Sequence, residues 1–86
     1  MRVTLYTSAF CEPCMLTRKV LAEAAKLVPA MELTELDIVR DATDAEREHI
    51  RSTPTVVVHG DGEEEVFRAE GVPSLNQVLV ALAKAV

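Results

Sequence analysis

The segment Thr55-Val56-Val57-Val58 does most to narrow what this chain can fold into. Four β-branched residues in a row favour a strand, and a strand with no polar face belongs in the centre of a sheet. The rest of the chain must then supply flanking strands and a cover for both faces. With 86 residues there is room for one small domain spanning 1–86 and for no second one. Apolar residues make up 49% and charged residues 27%, a composition that folds. Tyr6, Phe10 and Phe67 are the only aromatics, so the core has to be built from aliphatics.

The remaining elements follow from periodicity. Met1 to Thr7 sets Val3 and Leu5 between Thr4 and Tyr6 and reads as a strand. After the short loop Ser8 to Phe10, Pro13 suits the first turn of a helix, where its missing N–H costs nothing. From Cys14 to Val28, Leu16, Val20, Leu21, Ala24, Leu27 and Val28 fall at helical spacing, leaving Arg18, Lys19 and Glu23 for solvent. Leu33 to Val39 reads as a second strand, with Leu36 and Ile38 on one face. A short helix starts at Asp41 to Thr43, with Thr43 and Glu46 at capping-box spacing, and runs to about Arg51. Gly60-Asp61-Gly62 is a turn between antiparallel strands, and Val66 to Arg68 is the return strand. Ser74 and Gln77 form a second capping box before a helix that buries Leu75, Val78, Leu79, Leu82 and Val86. The expected order is β-α-β-α-β-β-α: an α/β chain with a four-stranded mixed sheet and three helices. The two helical connections are expected to join parallel strands.

Charge excludes several functions. Nine Lys and Arg stand against fourteen Asp and Glu, a formal net charge of -5. Such a chain has nothing to neutralise a row of phosphates, so no nucleic-acid partner is expected. An anionic membrane surface is excluded in the same way, and no apolar run approaches the roughly twenty residues of a membrane span. Met1 to Ser8 alternates and does not read as an export signal. A reducing cytoplasm and a monomer are the expectations.

The two cysteines, Cys11 and Cys14, lie three residues apart. A bridge between them closes too short a ring to remove much unfolded-state entropy, so the pair is a poor staple and points to chemistry. The loop after the first strand delivers Cys11 to a helix start, at the carboxyl end of a strand, where open α/β sheets place their sites. Free N–H groups and the positive dipole end there favour a thiolate, the nucleophile of disulfide exchange. Cys14 sits nearly one turn on, on the same face, at a separation a disulfide tolerates. One cysteine attacks and the deeper one resolves; Cys11 is expected to be the exposed, more acidic thiol. A zinc site needs four ligands, whereas a second cysteine pair is absent and His49 and His59 lie ten residues apart. Neither a metal nor another cofactor is expected. Both histidines read as surface residues, and Glu63-Glu64-Glu65 as a charged strand edge that discourages sheet-to-sheet pairing.

Tyr6 to Cys14, Tyr-Thr-Ser-Ala-Phe-Cys-Glu-Pro-Cys, resembles the active-site approach of glutaredoxins and thioredoxins. Arg51 to Val58, followed by Asp61-Gly62, resembles the Pro-loop and hairpin of thioredoxins. The chain thus resembles a minimal thioredoxin-fold thiol–disulfide oxidoreductase over nearly its whole length. The resemblance implies a thioredoxin-like fold and a cis bond before Pro54, facing the cysteine pair. It also implies Thr53 as the residue whose backbone docks the substrate chain. Phe10, Glu12 and Pro13 are then the residues that tune the motif. Glu12 opposes a thiolate at Cys11 while favouring the helix start.

The departures are specific. No counterpart of the extra N-terminal strand and helix of thioredoxins is expected. Leu5 stands where thioredoxins carry a buried Asp, and Phe10 where they carry a tryptophan. Gly71-Val72 and Ser74 replace the Gly-Gly and acid with which glutaredoxins hold glutathione. The leading expectation is reduction of disulfide-containing protein substrates, with electrons from a flavoprotein disulfide reductase or a low-molecular-weight thiol. The alternatives are a non-catalytic thioredoxin-fold binding module, a glutaredoxin using glutathione, and an iron–sulfur cluster bridged in a dimer.

Overall fold

A computed structural model describes residues 1–86. The strands are β1 (Arg2–Thr7), β2 (Glu32–Asp37), β3 (Thr55–His59) and β4 (Glu65–Glu70), and the helices α1 (Glu12–Leu27), α2 (Ala42–Arg47) and α3 (Leu75–Lys84). They follow in the order β-α-β-α-β-β-α and build one sheet ordered β2-β1-β3-β4. Thr55 to Val58 is buried without interruption in β3, a central strand as its composition demands. Alternation divides its side chains. Val56 and Val58 join Val3, Leu5, Leu21, Ala24, Val78, Ala81 and Leu82 in the main core. Val57 packs with Tyr6 and Ala45 on the α2 face, backed by Leu36, Ile38 and Ile50.

Strand direction departs from expectation. β1 and β2 are parallel, but β3 runs antiparallel to β1. A second parallel crossover would have to return along the sheet, whereas α2 has six residues and spans only about 9 Å at 1.5 Å per residue. The segment after α2 instead brings the chain back to the end at which β2 finished. Tyr6 pairs with both Leu36 near the end of β2 and Thr55 at the start of β3. The hairpin to β4 is antiparallel, with a register shift at Val58/His59.

Local boundaries shift for identifiable reasons. β2 ends at Asp37, whose side chain accepts hydrogen bonds from the backbone N–H groups of Val39 (2.8 Å) and Arg40 (3.1 Å). The expected Thr43/Glu46 box does not form; Asp41 is the N-cap, and its carboxylate accepts instead from the Asp37 N–H. α2 stops at Arg47, before the expected Arg51. His49 takes φ 57°, its N–H reaches the Glu46 carbonyl and the Ile50 N–H reaches the Ala45 carbonyl. Those two bonds are the pattern of a Schellman C-cap. The Ser74/Gln77 box forms in full.

The phase of α1 also corrects the sequence reading. Its buried face is Cys14, Thr17, Leu21 and Ala24, with Val20 and Val28 half-buried, while Leu16 and Leu27 are exposed. Leu16 lies about 140° around the helix from Leu21. Small side chains face inward, and Thr17 donates its hydroxyl to the Pro13 carbonyl at 2.9 Å. Val86, expected in the α3 stripe, lies beyond the helix and is exposed, and Ala81 and Ala85 are buried instead. No helix is long and apolar enough to cross a membrane.

Candidate functional site

Antiparallel pairing of β1 with β3 brings two distant loops to one end of the sheet. Ser8 to Phe10 leads out of β1 into α1, and Thr53-Pro54 leads into β3. Their hydroxyls meet: Ser8 Oγ and Thr53 Oγ1 are hydrogen-bonded at 2.6 Å. The Thr53–Pro54 bond is cis, as the resemblance implied. The Pro54 carbonyl accepts the Gly71 N–H at 2.9 Å, while the Thr53 main chain enters none of the turn, loop or cap bonds and stays free.

Cys11 is the N-cap of α1, in extended conformation, and Pro13 lies in the first turn. Cys11 and Cys14 form a disulfide with their Cα atoms 5.2 Å apart. The Cys14 N–H donates to Cys11 Sγ at 3.1 Å, so one of the free amides of the helix start is already aimed at that sulfur. Cys14 is buried, at 1% exposure, and Cys11 is only partly covered. The asymmetry comes from position: the cap residue lies outside the helix, while Cys14 lies on its buried face. Leu5 is fully buried in the main core. An aliphatic side chain therefore occupies the place read as acidic in thioredoxins.

An open groove runs over this sulfur, lined by Ser8, Phe10, Cys11, Glu12, Met15 and Arg18. Phe10 is fully exposed and Met15 more than half exposed. Phe10 has φ 56°, a left-handed conformation disfavoured for a bulky residue. Such strain, of order 1–3 kcal/mol, concentrates at functional sites. Arg18 donates to both oxygens of Glu35 at 2.7 and 2.6 Å, and the Thr7 hydroxyl adds a bond at 3.3 Å. The Arg18 hydrogen bonds, with its charge and Thr7 helping against desolvation, hold the Glu35 carboxyl below its ordinary value.

The residues singled out from the sequence therefore divide into two contiguous sets. Phe10, Cys11 and Glu12 line the groove, with Pro13 exposed in the first turn beneath; Thr53 and Pro54 adjoin through the Ser8 bond. Ser8, Met15 and Arg18 were missed. The signal for two of them was present: Cys11, Met15 and Arg18 are spaced i, i+4, i+7, one helix face.

His59 is corrected. It is largely buried, its Nδ1 has no partner, and Nε2 lies 3.6 Å from Glu48. Glu48, His59 and Glu65 bring ligand-type atoms within 4.8 Å of one another. Both Glu65 oxygens, however, accept from Arg68, at 3.0 and 2.8 Å, so that Glu65 is already paired along β4 while Glu48 comes from the end of α2. The cluster lies at the far end of β1 from the cysteines, because His59 pairs with Arg2. The acidic run is also partly engaged, Glu63 with Arg2 and Glu65 with Arg68.

No family model matches the chain. A thioredoxin of Methanocaldococcus jannaschii is 30% identical over 84 residues, covering 96% of this chain and 93% of its own. Among solved structures, thioredoxin 1 from the thermophilic eubacterium Thermosipho africanus superposes with a TM-score of 0.83 at 18% identity, covering 98% of this chain and 92% of the other. Fasciola hepatica thioredoxin gives a TM-score of 0.84 at 22% identity, covering 99% and 80%.

Proposed function

The chain belongs to the thioredoxin family and is a thiol–disulfide oxidoreductase, and from that premise we propose that it reduces disulfides in partner proteins through Cys11 and Cys14. The observation that carries this reading is the asymmetry of the pair at the start of α1. Cys11 is reachable and accepts an amide hydrogen bond, and Cys14 is shielded within one turn of it.

In the reduced protein the Cys11 thiolate attacks one sulfur of the partner's disulfide. A Cys11–partner bond forms, and the partner's other sulfur leaves as a thiolate and takes up a proton. The Cys14 thiol loses its proton and attacks Cys11 Sγ, forming the Cys11–Cys14 bond and expelling the second partner thiolate. Two electrons have passed to the partner. The free N–H and C=O of Thr53 pair with the partner's main chain beside the attacked sulfur, and Pro54 keeps a competing donor out of that position. The Ser8–Thr53 bond holds this docking loop against the loop that carries Cys11.

Leu5 leaves no buried Asp at that strand position to take the Cys14 proton, so water or the partner receives it. A flavoprotein disulfide reductase is the faster donor of electrons and glutathione the slower. Gly71-Val72 and Ser74 lack the Gly-Gly and acid that would hold a tripeptide amine. A cytoplasmic monomer with no nucleic-acid or membrane partner completes the reading.

The test compares donors on the oxidised protein. Reduction by millimolar glutathione at the rate given by a flavoprotein reductase would overturn the donor assignment in favour of the glutaredoxin alternative.

A further inference from the structure

The groove over Cys11 carries two formal charges on its lining, Glu12 and Arg18. Arg18 is already neutralised by its two-point pairing with Glu35. Glu12 is exposed, directly follows Cys11 and forms no ion pair. The groove thus presents one uncompensated carboxylate beside the reactive sulfur, flanked by the exposed apolar side chains of Phe10 and Met15. The chain behind it has a net charge of -5.

We propose that Glu12 is a specificity-determining residue that selects protein disulfides flanked by a basic residue and an apolar one. The inference rests on the disulfide-reductase reading and adds the class of partner to it. A partner Lys or Arg next to the attacked cysteine meets the Glu12 carboxylate, while an acidic neighbour is repelled by it. Phe10 and Met15 cover the apolar neighbour and exclude water around the exchanging sulfurs. Charge at this rim acts mainly on the rate of productive encounter and weakens as salt screens it. An acid is also favourable at a helix start for purely structural reasons. That role gives no discrimination between substrates, and so the two are separable.

The experiment uses three short peptides, each with one internal disulfide, identical except for Lys, Gln or Glu beside the attacked cysteine. Each rate is divided by the rate of the same peptide with dithiothreitol, a neutral thiol, which removes differences in intrinsic disulfide reactivity. The readout is the Lys-to-Glu ratio, in which any change of Cys11 nucleophilicity cancels. At low salt the wild-type ratio is expected to be about fivefold, the size of one exposed ion pair, and to shrink toward unity at high salt. In Glu12→Gln it should fall to about twofold or less, and in Glu12→Lys it should invert. A ratio unaffected by either substitution, or three equal rates in the wild type, overturns the selection by Glu12 and leaves the reductase reading intact. Failure to reduce any of the three peptides overturns both.

Discussion

Replacing Ser8 by Ala and Thr53 by Val, singly and together, isolates the one side-chain bond joining the Cys11 loop to the Pro54 loop. The two hydroxyls are 2.6 Å apart and both residues are half-buried. A net hydrogen bond contributes about 0.5–1.5 kcal/mol, and access of water to either orphaned hydroxyl places this one in the lower half of that range. Val keeps the β-branch of Thr53, so the backbone preference at that position is retained. Each single variant should therefore lose about 0.5–1 kcal/mol, and the double variant little more than either. For a domain of this size about 1 kcal/mol corresponds to a Tm shift of roughly 4–8 °C. Urea denaturation of the oxidised proteins gives the coupling energy, expected at about 0.5–1 kcal/mol. A second readout separates function from stability. If the bond sets the docking loop against Cys11, kcat/KM for a peptide disulfide should fall by about three- to tenfold in all three variants alike, because misplacement of reacting groups is costly. Losses that add within about 0.3 kcal/mol, together with unchanged kcat/KM, would refute the reasoning.

Three further expectations follow from packing and charge. Leu21→Ala should cost about 3 kcal/mol of an expected total of roughly 4–13 kcal/mol, whereas Leu16→Ala should cost less than about 1, in urea denaturation; equal losses would contradict the phase of α1. His49→Gly should stabilise by about 0.5–1 kcal/mol in the same assay, because glycine suits the left-handed C-cap position; a loss would contradict the capping geometry. The Glu35 carboxyl is held below its unfolded value, so its contribution is present above about pH 4.5 and is lost as pH falls through the folded value. The pair is partly exposed, so the contribution is at most about 0.5–1 kcal/mol. Arg18→Gln should accordingly lower stability at neutral pH and flatten the decline as pH falls below about 4.5, followed by Tm against pH.

How far the sequence foretold these features depended on whether the signal was local. The β3 run and the Ser74/Gln77 box are local patterns, and both elements formed where they were read. The cysteine pair at a strand-to-helix junction was equally legible, since the strand before it and Pro13 in the first turn mark the helix start locally. Helix phase was less so. Leu16 and Leu27 outweigh Thr17 and Ala24 in hydrophobicity, yet Cys14, Thr17 and Ala24 lie on the buried face. The direction of β3 was hidden because a buried run reads identically both ways; the brevity of α2 was the missed cue. The Ser8–Thr53 contact and the burial of His59 depend on strand pairing across most of the chain, and no local pattern announces them.

Catalysed reduction of insulin disulfides in the presence of dithiothreitol, followed for the wild type, Cys11→Ser and Cys14→Ser, tests the central claim most directly. The wild type should accelerate the reaction, and both variants should lose turnover. Cys14→Ser alone should accumulate an insulin adduct, bonded through Cys11, because the shielded thiol that would release it is gone. Full turnover by Cys11→Ser, or an adduct trapped at Cys14 in that variant, would contradict the account.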